Sequence, residues 1–184
     1  MSRSLDQVLS GLDDVPWKQL QHAYGAASDV PQLIRDLAAT NNKTRDHAWY
    51  ELHGNLWHQG TIYEATAYAV PFLLKLLVLK SVSNRYELLL YLARLFNGRS
   101  YIDVHKDLKT SPHEVAKPDS QERLRMELSW VEATREAVRA GHDTYLKLLR
   151  EGDRGLQLAA AHLLGLIGET DHVILETIAE IAER

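Results

Sequence analysis

The sequence predicts an all-α protein, a single domain built as an α-solenoid of antiparallel helix pairs, with one irregular insertion near 98–118. Three observations lead there. Leu occurs 30 times and Ala 19 times in 184 residues, against 18 Val and Ile combined. Leu and Ala are strong helix formers, whereas Val and Ile favour strands. Apolar residues recur at three- and four-residue spacing between cap and stop signals. A short string also repeats: Val30-Pro31-x-Leu33-Ile34-x-x-Leu37 returns as Val70-Pro71-x-Leu73-Leu74-x-x-Leu77, 40 residues later.

The elements follow in order. Ser4 and Gln7 have capping-box spacing, and Leu5, Val8, Leu9 and Leu12 share one face of a short helix. Asp13 and Asp14 precede Pro16 and Trp17, which reads as a second helix running to Tyr24 and stopping at Gly25. These two helices, within 1–25, are the expected N-terminal cap of the solenoid. Asp29 and Pro31 open a third helix whose Val30, Leu33, Ile34 and Leu37 face inward. A fourth runs from about Lys43 to Trp57, with Ala48, Leu52 and Leu56 as its stripe.

Gln59-Gly60 breaks that helix, and Thr61 and Glu64 have the spacing of another capping box. Pro71 interrupts the apolar run that follows. Proline inside a helix costs about 3 kcal/mol, so two pieces, 61–69 and 70–80, are the expected reading, with one kinked helix as the alternative. Leu88, Leu89, Leu92, Leu95 and Phe96 give 84–96 a broad apolar face before Asn97-Gly98. From 98 to 118 the periodicity is lost, apart from room for one helical turn.

The longest helix is expected at 119–140. It offers Leu124, Leu128, Val131 and Val138 on one stripe and Met126, Trp130, Ala133 and Ala137 beside them. Glu122/Arg125, Glu132/Arg135 and Glu136/Arg139 are spaced as helical ion pairs. Asp143 opens a short helix to Glu151, and 154–167 forms the next. The last starts near Asp171, and its Ile174, Ile178 and Ile181 suggest self-association through an uncovered apolar side.

Tyr145-Leu-Lys-Leu-Leu-Arg-Glu-Gly-Asp153 followed by Leu158-Ala-Ala-Ala-His-Leu-Leu-Gly-Leu-Ile-Gly168 resembles one HEAT-like repeat: a leucine helix, an Asp turn, then an Ala-rich helix. Residues 29–80 look like a more divergent copy. The chain is also similar to uncharacterised bacterial HEAT-repeat proteins that carry His58-Gln-Gly-Thr-x-Tyr-x-Ala-Thr66 ahead of a Val-Pro-Phe-Leu-Leu string. The resemblance spans 29–97 and 142–184. It implies a right-handed, armadillo-like solenoid, with repeats at 29–97 and 142–184 flanking the insertion and the long helix. It also implies protein–protein scaffolding, and in a minority of relatives DNA-lesion glycosylases or chromophore lyases.

Composition excludes several functions. With no Cys there is no disulfide framework, thiolate metal site or Cys nucleophile. Met1 to Leu12 lacks the apolar core of a signal peptide, and the longest uncharged apolar run, Ala65–Leu74, is about half a membrane span. A cytoplasmic location is therefore expected. The net charge is −4, and only 61–118 is mildly basic, with 8 basic and 5 acidic residues. That pattern argues against general nucleic-acid binding.

Candidate chemistry is sparse. None of the nine His residues forms a helical metal-ligand pair, and His53 and His58 point to different faces. No phosphate loop or nucleophile elbow occurs. Trp57, His58, Gln59 and Tyr63 form the most unusual polar stretch, readable as a recognition turn or as a plain turn closed by Gly60. Trp17, Trp49 and Trp130 read as packing residues. Arg99, Tyr101, Lys106 and Lys109 of the insertion are candidates for an acidic partner. The expected function is thus a non-enzymatic protein-interaction module without metal or cofactor, of an immunity or regulatory type. The alternative is a DNA-binding protein of the lesion-glycosylase kind.

Overall fold

A computed structural model describes residues 4–109, 118–168 and 172–182. The chain is mostly helical, and among the described residues the only strands form two tiny hairpins. The helices are α1 (Leu5–Val8), α2 (Val30–Asp36), α3 (Asn42–Asn55), α4 (Glu64–Leu77), α5 (Arg85–Phe96) and α6 (Tyr101–Lys109). They continue as α7 (Pro118–Arg139), α8 (His142–Glu151), α9 (Arg154–Leu166) and α10 (His172–Ala182). The strands are β1 (Gln21–His22), β2 (Gly25–Ala26), β3 (Trp57–His58) and β4 (Thr61–Ile62).

At the N-terminus the expected capping box is present. Ser4 Oγ accepts the Gln7 N–H at 3.3 Å, and the Ser4 N–H donates to Gln7 Oε1 at 3.0 Å. The helix it starts is only four residues long.

The second expected helix, to Tyr24, does not form. Turns lead instead into the β1–β2 hairpin, with Gln21 opposite Ala26 and His22 opposite Gly25. Its backbone is claimed by other elements: the Gln21 N–H donates to Glu64 Oε2 and the Ala23 N–H to Asn55 O. Gly25 at φ 126° sits where side chains are disfavoured. Trp17 and Leu20 are buried, so their three-residue spacing mimicked a helix face.

From α2 onward the periodic reading holds more closely. Asn41 caps α3 by accepting the Thr44 N–H at 3.2 Å, and Ala48, Leu52 and Leu56 are fully buried. α4 is one helix that runs through Pro71, so the second Val-Pro string lies inside a helix while the first opens one. Pro71 is exposed and Ala67, whose carbonyl loses its partner, is half-exposed, so the unmade hydrogen bond falls toward solvent. α5 is buried on most sides, as suits a central helix.

The stretch 98–118 is not wholly irregular, because α6 occupies 101–109; 110–117 lies outside the described residues. Ser100 Oγ accepts the Asp103 N–H at 3.0 Å, and Glu127 Oε2 accepts the Ile102 N–H at 3.0 Å. Both satisfy first-turn donors of α6.

That second contact also changes which face of α7 is buried. Glu127, Val131, Thr134 and Val138 point inward, at helical spacing, while Met126 and Leu128 are exposed. Arg139 pairs with Glu132 at 3.0 Å rather than with Glu136. Ile178 of α10 packs on the core, while the side chains of Ile174 and Ile181 lie outside the described residues, as does the self-association they suggested.

Pairwise packing is continuous through the core. α4 packs against α2, α5 and α7; α5 packs against α7 and α9; α8 packs against α9. α3 joins through Tyr91, whose hydroxyl donates to Leu52 O at 2.6 Å and whose ring meets Trp49 edge-on at 5.7 Å. No helix among the described residues is long and apolar enough to cross a membrane.

Candidate functional site

The α3 helix ends at Asn55, and the chain turns back as a hairpin with Trp57 opposite Ile62 and His58 opposite Thr61. Gln59 at φ 51° and Gly60 at φ 92° are both left-handed, which is the requirement of the two-residue type I′ loop. Gly60 is therefore a hairpin residue, not a helix stop.

The expected Thr61/Glu64 capping box is absent, because Thr61 sits in β4 and α4 begins only at Glu64. Thr66 supplies the first-turn contact. Its Oγ1 accepts the Tyr63 N–H at 3.2 Å and its hydroxyl donates to Leu56 O at 2.7 Å.

Two further segments lock the second hairpin. Arg99 forms an isolated parallel bridge with Thr61: its N–H donates to Gly60 O and its carbonyl accepts the Ile62 N–H, each at 2.9 Å. The Tyr24 hydroxyl of the first hairpin lies 3.2 Å from His58 Nδ1, hydrogen-bonded, with the two rings edge-on. The first hairpin is itself anchored from below. The Tyr24 N–H donates to His22 Nδ1, so Nε2 carries the hydrogen and donates to Asp29 Oδ1 at 3.0 Å. Asn55, fully buried, donates to Asp29 Oδ2 at 2.7 Å.

Beside this junction, α3 and α5 form an open cleft of about 380 Å³, lined by Asp46, Trp49, His53, Tyr86, Leu90 and Arg94 among others. It continues past Trp49 and His53 into a wider one of about 710 Å³, walled by Tyr24, Tyr50, Trp57, His58 and Gln59. Tyr24 and Tyr50 are 69% and 78% exposed, so the outer wall is aromatic and open. The floor is closed: Tyr91 is fully buried, and burial pushes its phenol far above the usual tyrosine range. Burial, and after it the Arg94 guanidinium, holds the His53 imidazole below the ordinary histidine value. The His53 ring lies against Tyr91, tilted by 54° with centroids 4.4 Å apart. Trp49 is 9% exposed, and its indole N–H has no partner among the described residues.

The candidate residues thus divide. Trp57, His58 and Gln59 line the wider cleft. Tyr63, Arg99 and Tyr101 line neither cleft; Tyr101 lies near enough to act on the Tyr63 phenol, and Arg99 is bridged to Thr61. Tyr101 stacks on His105 at 4.0 Å beneath the Arg123 guanidinium, and burial raises the Tyr63 phenol. Arg99 contributes through its backbone. The side chains of Lys106 and Lys109 lie outside the described residues.

Sequence reasoning missed Tyr24, Asp46, Tyr50, His53, Tyr86 and Arg94; it read Trp49 as core or inter-helix packing, which its burial against Tyr91 matches, although its edge also lines both clefts. A signal existed, because Asp46, Trp49, Tyr50 and His53 recur at three- and four-residue spacing on α3. Among the described residues no three His, Asp or Glu side chains converge as metal ligands would. No family model, curated protein or solved structure matches the chain.

Proposed function

We propose that this chain is a HEAT-like helical-repeat module, a right-handed solenoid without catalytic activity, which binds another protein through the aromatic cleft. The observation that carries the reading is the pair of largely exposed tyrosines, Tyr24 and Tyr50, set beside Trp49 and Trp57 on a buried floor. Aromatic side chains on a rigid base are the usual anchors of protein interfaces, giving large contact area for little lost entropy. The repeat is supported by packing: the pair α2/α3 resembles the pair α4/α5 in order, and α2 lies on α4. Asp46, Glu51 and Glu87 outnumber Arg94 along the cleft, a balance that opposes a phosphate backbone.

The test is photo-crosslinking in the protein's own cells, with p-benzoylphenylalanine at Tyr50 and, as control, at the exposed Leu175 of α10. A discrete protein adduct at position 50, lost on Tyr24→Ala and absent at position 175, supports the reading. No adduct at position 50, or the same adducts at both positions, overturns it.

A further inference from the structure

The cleft between α3 and α5 carries a charge polarity that its structural role does not require. Tyr91 touches Trp49, His53 and the Leu52 carbonyl, and Arg94 acts on His53. Just past α5, the Arg99 backbone bonds Gly60 O and the Ile62 N–H of the hairpin that follows α3, so the two helices end side by side and run parallel. Asp46 and Glu87 therefore share the end at which both helices begin, and His53 and Arg94 share the other. Seven residues of helix separate Asp46 from His53, and seven separate Glu87 from Arg94, a span of about 10 Å.

Among the described residues, neither Asp46 nor Arg94 makes an ion pair, although both line the same cleft. Glu87 accepts only the Asn84 side-chain amide. Helix dipoles favour acids at helix starts and bases at helix ends, which accounts for the order of the charges. They do not account for the apolar surface, where half-buried Leu90 lies with the edge of Trp49 between the two poles and the 48%-exposed Tyr86 flanks the acidic one.

We infer that the α3/α5 cleft takes a bipolar segment of the partner. A Lys or Arg sits against Asp46 and Glu87 beside Tyr86, an Asp or Glu about 10 Å further on sits against Arg94, and an apolar or aromatic residue between them covers Leu90 and the edge of Trp49. Seven positions of a helix or three of an extended strand provide that spacing. The inference rests on the protein-binding reading and specifies the chemistry of its partner. A cleft with an acidic pole at one end and a guanidinium at the other selects by order of charge, since a segment placed in reverse meets like charge at both ends.

A random peptide library displayed on phage, panned against the full chain, provides the probe. The selected peptides are synthesised and titrated against wild-type, Asp46→Ala/Glu87→Ala, Arg94→Ala and Tyr50→Ala/Tyr86→Ala chains. The result expected is enrichment of a basic and an acidic residue at the stated spacing. Removing the peptide's basic residue then weakens binding to the wild-type chain about tenfold and has no effect on the Asp46→Ala/Glu87→Ala chain; the acidic residue pairs in the same way with Arg94→Ala. The three charged side chains are exposed, so these variants keep the fold. Peptides that need Tyr50 and Tyr86 but show no charge pair, or whose charge effects are additive with the variants, overturn the inference while the binding reading stands. If no selected peptide is weakened by Tyr50→Ala/Tyr86→Ala, both fall.

Discussion

Gly98→Ala is the substitution most diagnostic of how the second hairpin is held. A Cβ at position 98 would lie 2.2 Å from Ile62 Cγ1 and 2.4 Å from Cδ1, with Leu95 O at 3.1 Å. Carbons in contact need about 3.5–4.0 Å, so more than an ångström of displacement is demanded. Ile62 has no room to give it. Its side chain is fully buried, and its N–H is bonded to Arg99 O one residue beyond the glycine. Overpacking of this kind costs about 1–3 kcal/mol, and the pinned backbone places this site near the upper end. For a chain of this length, about 3 kcal/mol lowers Tm by roughly 6–12 °C. Ile62→Ala alone costs about 2–5 kcal/mol through the cavity it leaves. That cavity lies where the new methyl must go, so Gly98→Ala added to Ile62→Ala should cost under about 1 kcal/mol. Urea unfolding followed by circular dichroism measures the cycle. An interaction energy near 2 kcal/mol, favouring the double variant over the sum, is expected; additivity within about 0.5 kcal/mol refutes the contact as drawn.

Two other perturbations read different parts of the same junction. Asn55→Ala removes a buried amide from the Asp29 carboxylate, at a cost of about 1.5–3 kcal/mol in urea unfolding, and should speed proteolysis within 21–26. A loss below about 0.5 kcal/mol would show that the network does not anchor the first hairpin. His53 has a folded-state pKa below its ordinary value of 6.5, so the unfolded chain binds the proton first. Its contribution is fully present above pH 6.5 and is lost as pH falls below that value. Between about pH 7.5 and about pH 5.5 the wild-type Tm should therefore drop further than that of His53→Gln; equal drops refute the burial of the imidazole.

What the sequence made legible was what local periodicity encodes. The stripe Ala48, Leu52, Leu56 and the leucines of α5 predict their helices because one helix face suffices to define them. The hairpins were illegible for the complementary reason. A two-residue strand has no alternation to read, and Gln59-Gly60 is a weaker type I′ signal than Asn-Gly. α7 shows how tertiary demand overrides pattern. Glu127 displaces Leu128 from the buried face because the Ile102 N–H and the Arg123 guanidinium give its carboxylate two partners. The cleft was half legible. Trp57 and His58 stand out as aromatic groups in a polar turn, whereas the face shared by Trp49 and Tyr91 joins residues 42 positions apart and exists only once α3 and α5 lie parallel.

The placement of rigidity argues for recognition rather than packing as the role of the exposed aromatics. Each element behind the cleft is fixed by contacts distant in sequence: α3 to α5 through the Tyr91 hydroxyl, the second hairpin to Arg99 through its backbone, the first hairpin to Asn55 and Asp29 through His22. Tyr24 and Tyr50 nonetheless remain mostly in water. A side chain needed only for stability would bury its area, about 150–250 Å² for an aromatic, at a gain near 25 cal/mol per Å². Leaving two such rings exposed on a locked frame forgoes several kcal/mol of folding energy. The same frame lowers the entropy that a partner must overcome, because backbone and floor are already ordered before binding. The forgone burial and the prepaid order both become available to one process, the covering of Tyr24 and Tyr50 by a partner.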